Sequence, residues 1–139
     1  MADNQPKYTE EQLQAWVRTK FQEANKYLAE QGIISDQILS KDSRYLAPLV
    51  AVWKFSTSDK HKIWVINGDV PTDMVTEKVA QTARDAVRHF ALNWQLKADA
   101  ILRSEQPAQE QRNYANYLIN RAENLYQLFE QEKLWEQQA

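Results

Sequence analysis

The sequence contains no cysteine in 139 residues and has only two glycines, two histidines and four prolines. Without thiols the chain can hold no disulfide, thiolate nucleophile, Cys-ligated zinc or iron–sulfur cluster. Gly32 and Gly68 stand far apart. The closely spaced glycines of a phosphate-cradling loop, a Rossmann fingerprint or a serine nucleophile elbow are therefore missing. His61 and His89 are just as separated, and neither has Asp, Glu or His at the offsets of a HExxH or facial-triad site. No metal, no cofactor and no catalytic residue is expected, and an enzyme is disfavoured.

Long apolar runs are missing too. The longest uncharged apolar stretch, Tyr45 to Trp53, is far shorter than the roughly 20 residues a membrane-spanning helix needs. The opening residues, Met1 to Lys7, lack the apolar core of a secretory signal. Nor does charge of one sign dominate: 17 Lys plus Arg stand against 19 Asp plus Glu, a formal net charge of -2. Such a balance gives no general attraction to phosphate backbones or anionic lipid. The expectation is a cytoplasmic protein with no nucleic-acid or membrane partner.

What is present is core material: 43% of the residues are hydrophobic, including five Trp, six Tyr and four Phe. A chain of this size can bury about two-thirds of the surface its unfolded form exposes, enough for a core without staples. One domain over residues 1–139 is expected, with residues 1–8 and 136–139 as disordered tails.

Apolar residues recur at three and four positions from Thr9 to Gln31, through Leu13, Trp16, Val17, Phe21, Ala24, Tyr27 and Leu28. This predicts an amphipathic helix, with Thr9 and Gln12 as a capping box and Gly32 as its stop. Pro48 to Phe55 and Lys62 to Asn67 are rich in β-branched and aromatic residues, and Ser56 to Lys60 is a polar turn. They read as an antiparallel hairpin. A hairpin alone is marginal, so a third strand is wanted, with Gln37 to Lys41 as its candidate.

Pro71 ends strand pairing in this reading, and helical periodicity returns through Val79, Ala83, Val87, Phe90, Trp94, Ala98 and Ile101. Thr76 and Thr82 compete as its cap, and Thr82 with Asp85 is the better match, leaving residues 76–81 as a separate turn. After Pro107 a last helix carries Tyr114, Ala115, Leu118, Ala122, Leu125 and Phe129 on one face. The short link makes the two long helices an antiparallel pair. The fold class is α+β: one N-terminal helix, a two- or three-stranded antiparallel sheet, then two long helices.

Few residues suggest chemistry. Asp85 and His89 are spaced to orient an imidazole, yet no serine or lysine is placed to be activated, so an ordinary helix pair is the simpler reading. Asp69 and Asp73 flank Val70-Pro71-Thr72, where carboxylates can begin a cation site. Turn chemistry explains both more simply, with Asp73 capping a helical turn.

Residues 41–72 hold five lysines and arginines against three aspartates, while residues 105–139 hold six acids against three bases. Lysines near Trp53 and Trp64 suit either single-stranded nucleic acid or protection of a sheet edge, and protection is favoured. Lys20 and Arg121 fall on apolar helix faces; each is expected to bury its stem and turn its charge to water. Leu92 and Leu96 form a second apolar stripe on the middle helix, away from Val87 and Trp94. An internal cover is favoured over a dimer or partner surface.

The stretch Trp64-Val-Ile-Asn-Gly-Asp-Val-Pro-Thr-Asp73, followed by Ala83-Arg-Asp-Ala-Val-Arg-His-Phe90 and Leu92-Asn-Trp-Gln-Leu96, resembles a small family of uncharacterised bacterial proteins described as a domain of unknown function. The resemblance spans most of the chain and implies no activity. Arg84 and Arg88 share a flank of the helix, so one of them is expected to pair with Asp69 or Asp73.

The reading is a non-catalytic interaction or binding protein, self-associating as a homodimer or docking a protein partner through Leu92 and Leu96. The alternative is a small-molecule-binding protein or enzyme with a pocket near the 68–73 turn and the start of the second long helix. Asp69, Asp73, Arg84, Arg88 and His89 would be its ligand-binding residues.

Overall fold

A computed structural model describes residues 8–136. The expected tails, 1–8 and 136–139, thus lie outside the described residues except for Tyr8 and Glu136. Helix α1 (Glu10–Glu30) leads into strands β1 (Ser35–Ile38), β2 (Arg44–Leu46), β3 (Val50–Thr57), β4 (Lys62–Gly68) and β5 (Asp73–Thr76). A 3-10 turn (Glu77–Val79), helices α2 (Ala83–Arg103) and α3 (Gln109–Glu130), and a second 3-10 turn (Glu132–Trp135) complete the chain.

The ends of α1 follow the local chemistry. Gln12 N donates to Thr9 Oγ1 over 3.1 Å, and Thr9 N donates to Gln12 Oε1 over 2.8 Å, the two bonds of a capping box. Past the C-terminus Gly32 adopts φ +77, in the left-handed region that a Cβ disfavours. At α2, Asp85 N donates to Thr82 Oγ1, so Thr82 is the cap and residues 77–79 form the separate turn.

The sheet is antiparallel throughout, in the order β1-β3-β4-β5, with β2 also on β3. The β3–β4 hairpin runs in register from Val50 opposite Gly68 to Ser56 opposite Lys62. Five strands replace the expected two or three. The third strand begins at Ser35 and ends at Ile38, earlier than Gln37–Lys41, and pairs with the Phe55–Thr57 end of β3. β4 ends at Gly68, ahead of Pro71, and no helix follows: the chain reverses, and Asp73–Thr76 returns along Ile63–Ile66 as an edge strand.

The alternation of β3 and β4 divides the interior in two. Val50, Val52, Trp64 and Ile66 face α2 and α3, meeting Ala86, Val87, Phe90, Trp94, Leu118 and Leu125. Ala51, Trp53, Phe55, Ile63 and Val65 face the other way, meeting Ala24 and Leu28 of α1. The hairpin is therefore covered on both sides, α1 on one and the helix pair on the other. Arg84 of α2 meets Phe129 of α3, and Lys97 meets Tyr114, so the start of one helix lies beside the end of the next. The pair is antiparallel, as the short link predicts.

Each buried indole has an acceptor, which burial of a polar N–H demands. Trp64 Nε1 donates to the Ala80 carbonyl over 2.7 Å. Trp53 Nε1 donates to Asn67 Oδ1 over 2.9 Å, and Asn67 Nδ2 donates to the Lys20 carbonyl, tying the hairpin to α1.

Candidate functional site

Of the five residues expected to bind a ligand, four are engaged, each in a different place, and Arg88 is not. Asp69 follows Gly68 at the end of β4 and accepts from Arg121 Nη2 of α3 over 3.3 Å. Asp73 opens β5 instead of capping a helical turn; its Oδ2 accepts from Trp94 Nε1 over 3.0 Å and its Oδ1 from the Met74 amide. Arg84 donates from Nε to the Phe129 carbonyl over 2.8 Å, with its guanidinium 4.9 Å from the Phe129 ring centre. That carbonyl belongs to the last turn of α3, where unpaired C=O groups and the helix dipole attract a cation. Arg88 is exposed, with no side-chain hydrogen bond or ion pair found among the described residues. Asn93 Nδ2 donates to His89 Nε2 over 3.1 Å, so the imidazole is oriented by Asn93 and not by Asp85.

Neither arginine pairs with Asp69 or Asp73, which corrects the expected junction. The reason is distance along the chain: the cation for Asp69 comes from α3, 52 residues on. Arg121 also donates to Asn120 and lies over Tyr117, while its Nε is buried with no hydrogen-bond partner among the described residues. Lys20 holds its ammonium 6.0 Å from the centre of the Trp16 ring and 2.8 Å from Glu23 Oε1.

Lys54 departs from the edge-protection reading. It lies in the central strand with its side chain only 7% exposed, its Nζ 2.7 Å from Glu77 Oε2 and 3.9 Å from Asp42 Oδ2. Its ammonium stands 5.0 Å from the centre of the Trp64 ring. The hydrogen bond from Lys54 is the largest effect on the Glu77 carboxyl and, with the weaker pull of the Lys54 and Lys62 charges, holds it below the usual glutamate range against the opposing effect of burial. The signal for this was a lone lysine on an otherwise apolar face of a central strand, where a charge needs a partner.

Among the described residues a cavity of about 430 Å³ lies beside Asn25, Ala29 and Ser35, and two others sit at opposite ends of the sheet. The larger, about 690 Å³, opens at the tip of the β3–β4 hairpin between Ile33, Ile34, Lys60, Lys62, Met74 and Lys78. Within it Asp59 accepts from the Thr57 hydroxyl and from His61 Nδ1, and the Thr57 bond is the main reason its carboxyl is lowered. The smaller, about 310 Å³, lies at the opposite end of the sheet between Leu49, Asp69, Val70, Asn124, Leu128 and Gln131. Of the five residues named from sequence, only Asp69 lines either cavity.

Among the described residues no group of three or more His, Asp or Glu is arranged to hold a metal ion, and no helix is long and apolar enough to cross a membrane.

The outward side of α2 is the remaining feature. Its inward side supplies Ala83, Ala86, Val87, Phe90, Ala91, Trp94 and Ala98 to the core. On the reverse, Leu92 and Leu96 are 43% and 60% exposed. The expectation that another element of the chain covers them is overturned. Because β3 is apolar on both faces, α1 is used on the far side of the sheet, and among the described residues no other element lies over the back of α2.

No curated protein and no solved structure matches the chain. Residues 10–135 match the model of the family described as "Domain of unknown function (DUF4826)", and the chain belongs to that family.

Proposed function

We propose that this chain is a non-catalytic interaction protein, acting as one domain, whose contact surface is the outward face of α2. Self-association is its first form, with docking of another protein as the second. The observation that carries this reading is the exposure of Leu92 and Leu96 on a helix whose opposite face is fully engaged in the core. Uncovered apolar stripes on folded domains commonly mark association surfaces. The separate engagement of Asp73, Arg84 and His89 supports a structural over a catalytic use of these groups. The balanced charge accords with a protein that has no nucleic-acid or membrane partner, and a bacterial, cytoplasmic setting is taken over from the family resemblance as part of this proposal.

The test is affinity capture with the tagged full chain and its Leu92→Glu/Leu96→Glu variant. Loss of the captured protein, whether a second copy or another chain, with an unchanged melting temperature supports the reading. An identical captured set for both proteins overturns it.

The cavity lined by Asp69 favours a second reading, a small-molecule site beside the 68–73 turn. Its volume of about 310 Å³ is at the lower end for small ligands. A metabolite panel read by thermal shift tests it: stabilisation that Asp69→Asn abolishes supports this site, and a panel without shifts removes it.

A further inference from the structure

Six residues run along the back of α2 in the order Asp85, His89, Leu92, Leu96, Asp99 and Arg103. Their spacing alternates four and three, the repeat with which one helix presents a continuous seam to another. At 100° per residue all six fall within an arc of about 80°, and the seam is about 27 Å long at 1.5 Å per residue. Asp85, Leu92, Leu96, Asp99 and Arg103 are exposed and His89 is half-buried, so the whole row is accessible.

The row is self-complementary when reversed. If a second copy lies antiparallel with the two-fold axis between Leu92 and Leu96, Leu92 meets the partner's Leu96 and Asp85 meets the partner's Arg103. His89 then meets the partner's Asp99. Two opposite-charge pairs close the ends, two imidazole–carboxylate pairs come next, and four leucines fill the centre. Asn93 Nδ2 lies 3.1 Å from His89 Nε2, which leaves the other ring nitrogen, Nδ1, for a carboxylate. In a parallel pairing the same residues would face their own kind, with Asp85 opposite the partner's Asp85 and Arg103 opposite the partner's Arg103. The charges therefore select both the orientation and the register.

We infer that the partner of this face is a second copy of the chain, bound as a two-fold antiparallel α2 pair with Leu92 and Leu96 at its centre. The inference rests on the interaction reading above and adds the occupant and its geometry. A two-fold axis makes every contact occur twice, so a modest stripe on one copy becomes a closed, self-limiting interface. Within the chain Arg103 bonds Asp99 on the same helix, with its own side chain 80% exposed, and so remains free to bridge to a second carboxylate.

The experiment is light scattering on the full chain over a concentration series up to about 0.5 mM, since a single helix pair is at the small end of stable interfaces. The expected species has twice the chain mass of 16.3 kDa. Asp85→Arg and Arg103→Asp alone each weaken association by at least about tenfold through like charges at both ends, and the double exchange restores it. Both positions are on the surface, but each exchange also reverses a charge favourable to the α2 dipole, so thermal melts at low concentration serve to show that every variant is folded. A wild-type chain that stays monomeric throughout the series overturns the inference, while the capture experiment still decides the broader interaction reading. A dimer indifferent to the single exchanges, or a double exchange that does not restore it, also overturns the antiparallel pair.

Discussion

Trp94 Nε1 donates to Asp73 Oδ2 over 3.0 Å, joining the middle of α2 to the edge strand β5. The bond fixes an edge strand that has only four residues and is paired on one side. Asp73→Ala leaves the indole N–H without its acceptor and should cost about 1–2 kcal/mol, whereas Asp73→Asn keeps an acceptor and should cost less. Urea unfolding of the two variants measures the difference, and equal losses would show that the bond contributes nothing specific.

Lys54 and Glu77 give the fold a pH dependence of known sign. The Glu77 carboxyl is held below its ordinary value of 4.5, so the pair contributes stability above that pH and loses it as pH falls through the lower folded value. Glu77→Gln should remove about 1–2 kcal/mol at neutral pH, less than a fully buried pair because Glu77 is 39% exposed. Urea midpoints at neutral and acid pH should converge for the two proteins. A constant gap between them would assign the loss to packing instead.

The two arginines of α2 should separate cleanly. Arg84→Ala removes the charged donor at the C-terminus of α3 and its contact with the Phe129 ring, at a cost of about 1–2 kcal/mol. Arg88→Ala touches only solvent and should change stability by less than about 0.5 kcal/mol. Thermal melts of the pair check the ranking, which reverses if Arg88 matters more.

The two glycines should also differ. Gly68 has φ +121, and a Cβ there would stand 2.5 Å from the Leu49 carbonyl oxygen and 2.9 Å from the Val50 Cα, so Gly68→Ala should cost at least about 2 kcal/mol. Gly32 has φ +77 in open space, and Gly32→Ala should cost about 1 kcal/mol from backbone conformation alone. Chemical denaturation of both variants tests this, and comparable losses would mean that the Leu49 carbonyl yields easily.

The long elements were legible because their signals repeat. Seven apolar positions and a capping box mark α1, Thr82 with Asp85 marks the start of α2, and dense β-branched and aromatic residues mark the hairpin. Strands of three or four residues, such as β2 and β5, contain too few positions for an alternation to stand out. Asp73 was misread because an aspartate after a proline suits a cap as well as a strand start, and its acceptor role depends on Trp94, 21 residues away. The stripe at Leu92 and Leu96 was visible as a pattern, but its exposure followed from the placement of α1. The apolar character of both faces of Val50–Phe55 already carried that information.

The β3–β4 hairpin is a shared wall, and that has a mechanical consequence. Neighbouring residues such as Val52 and Trp53 point into different interiors, so a shift of either strand backbone displaces side chains in both at once. The Trp53–Phe21 packing under α1 thus stands one layer of sheet away from the back of α2, and the expected consequence is that a load on α2 is felt there, across the wall, as a change in the surroundings of the Trp53 indole.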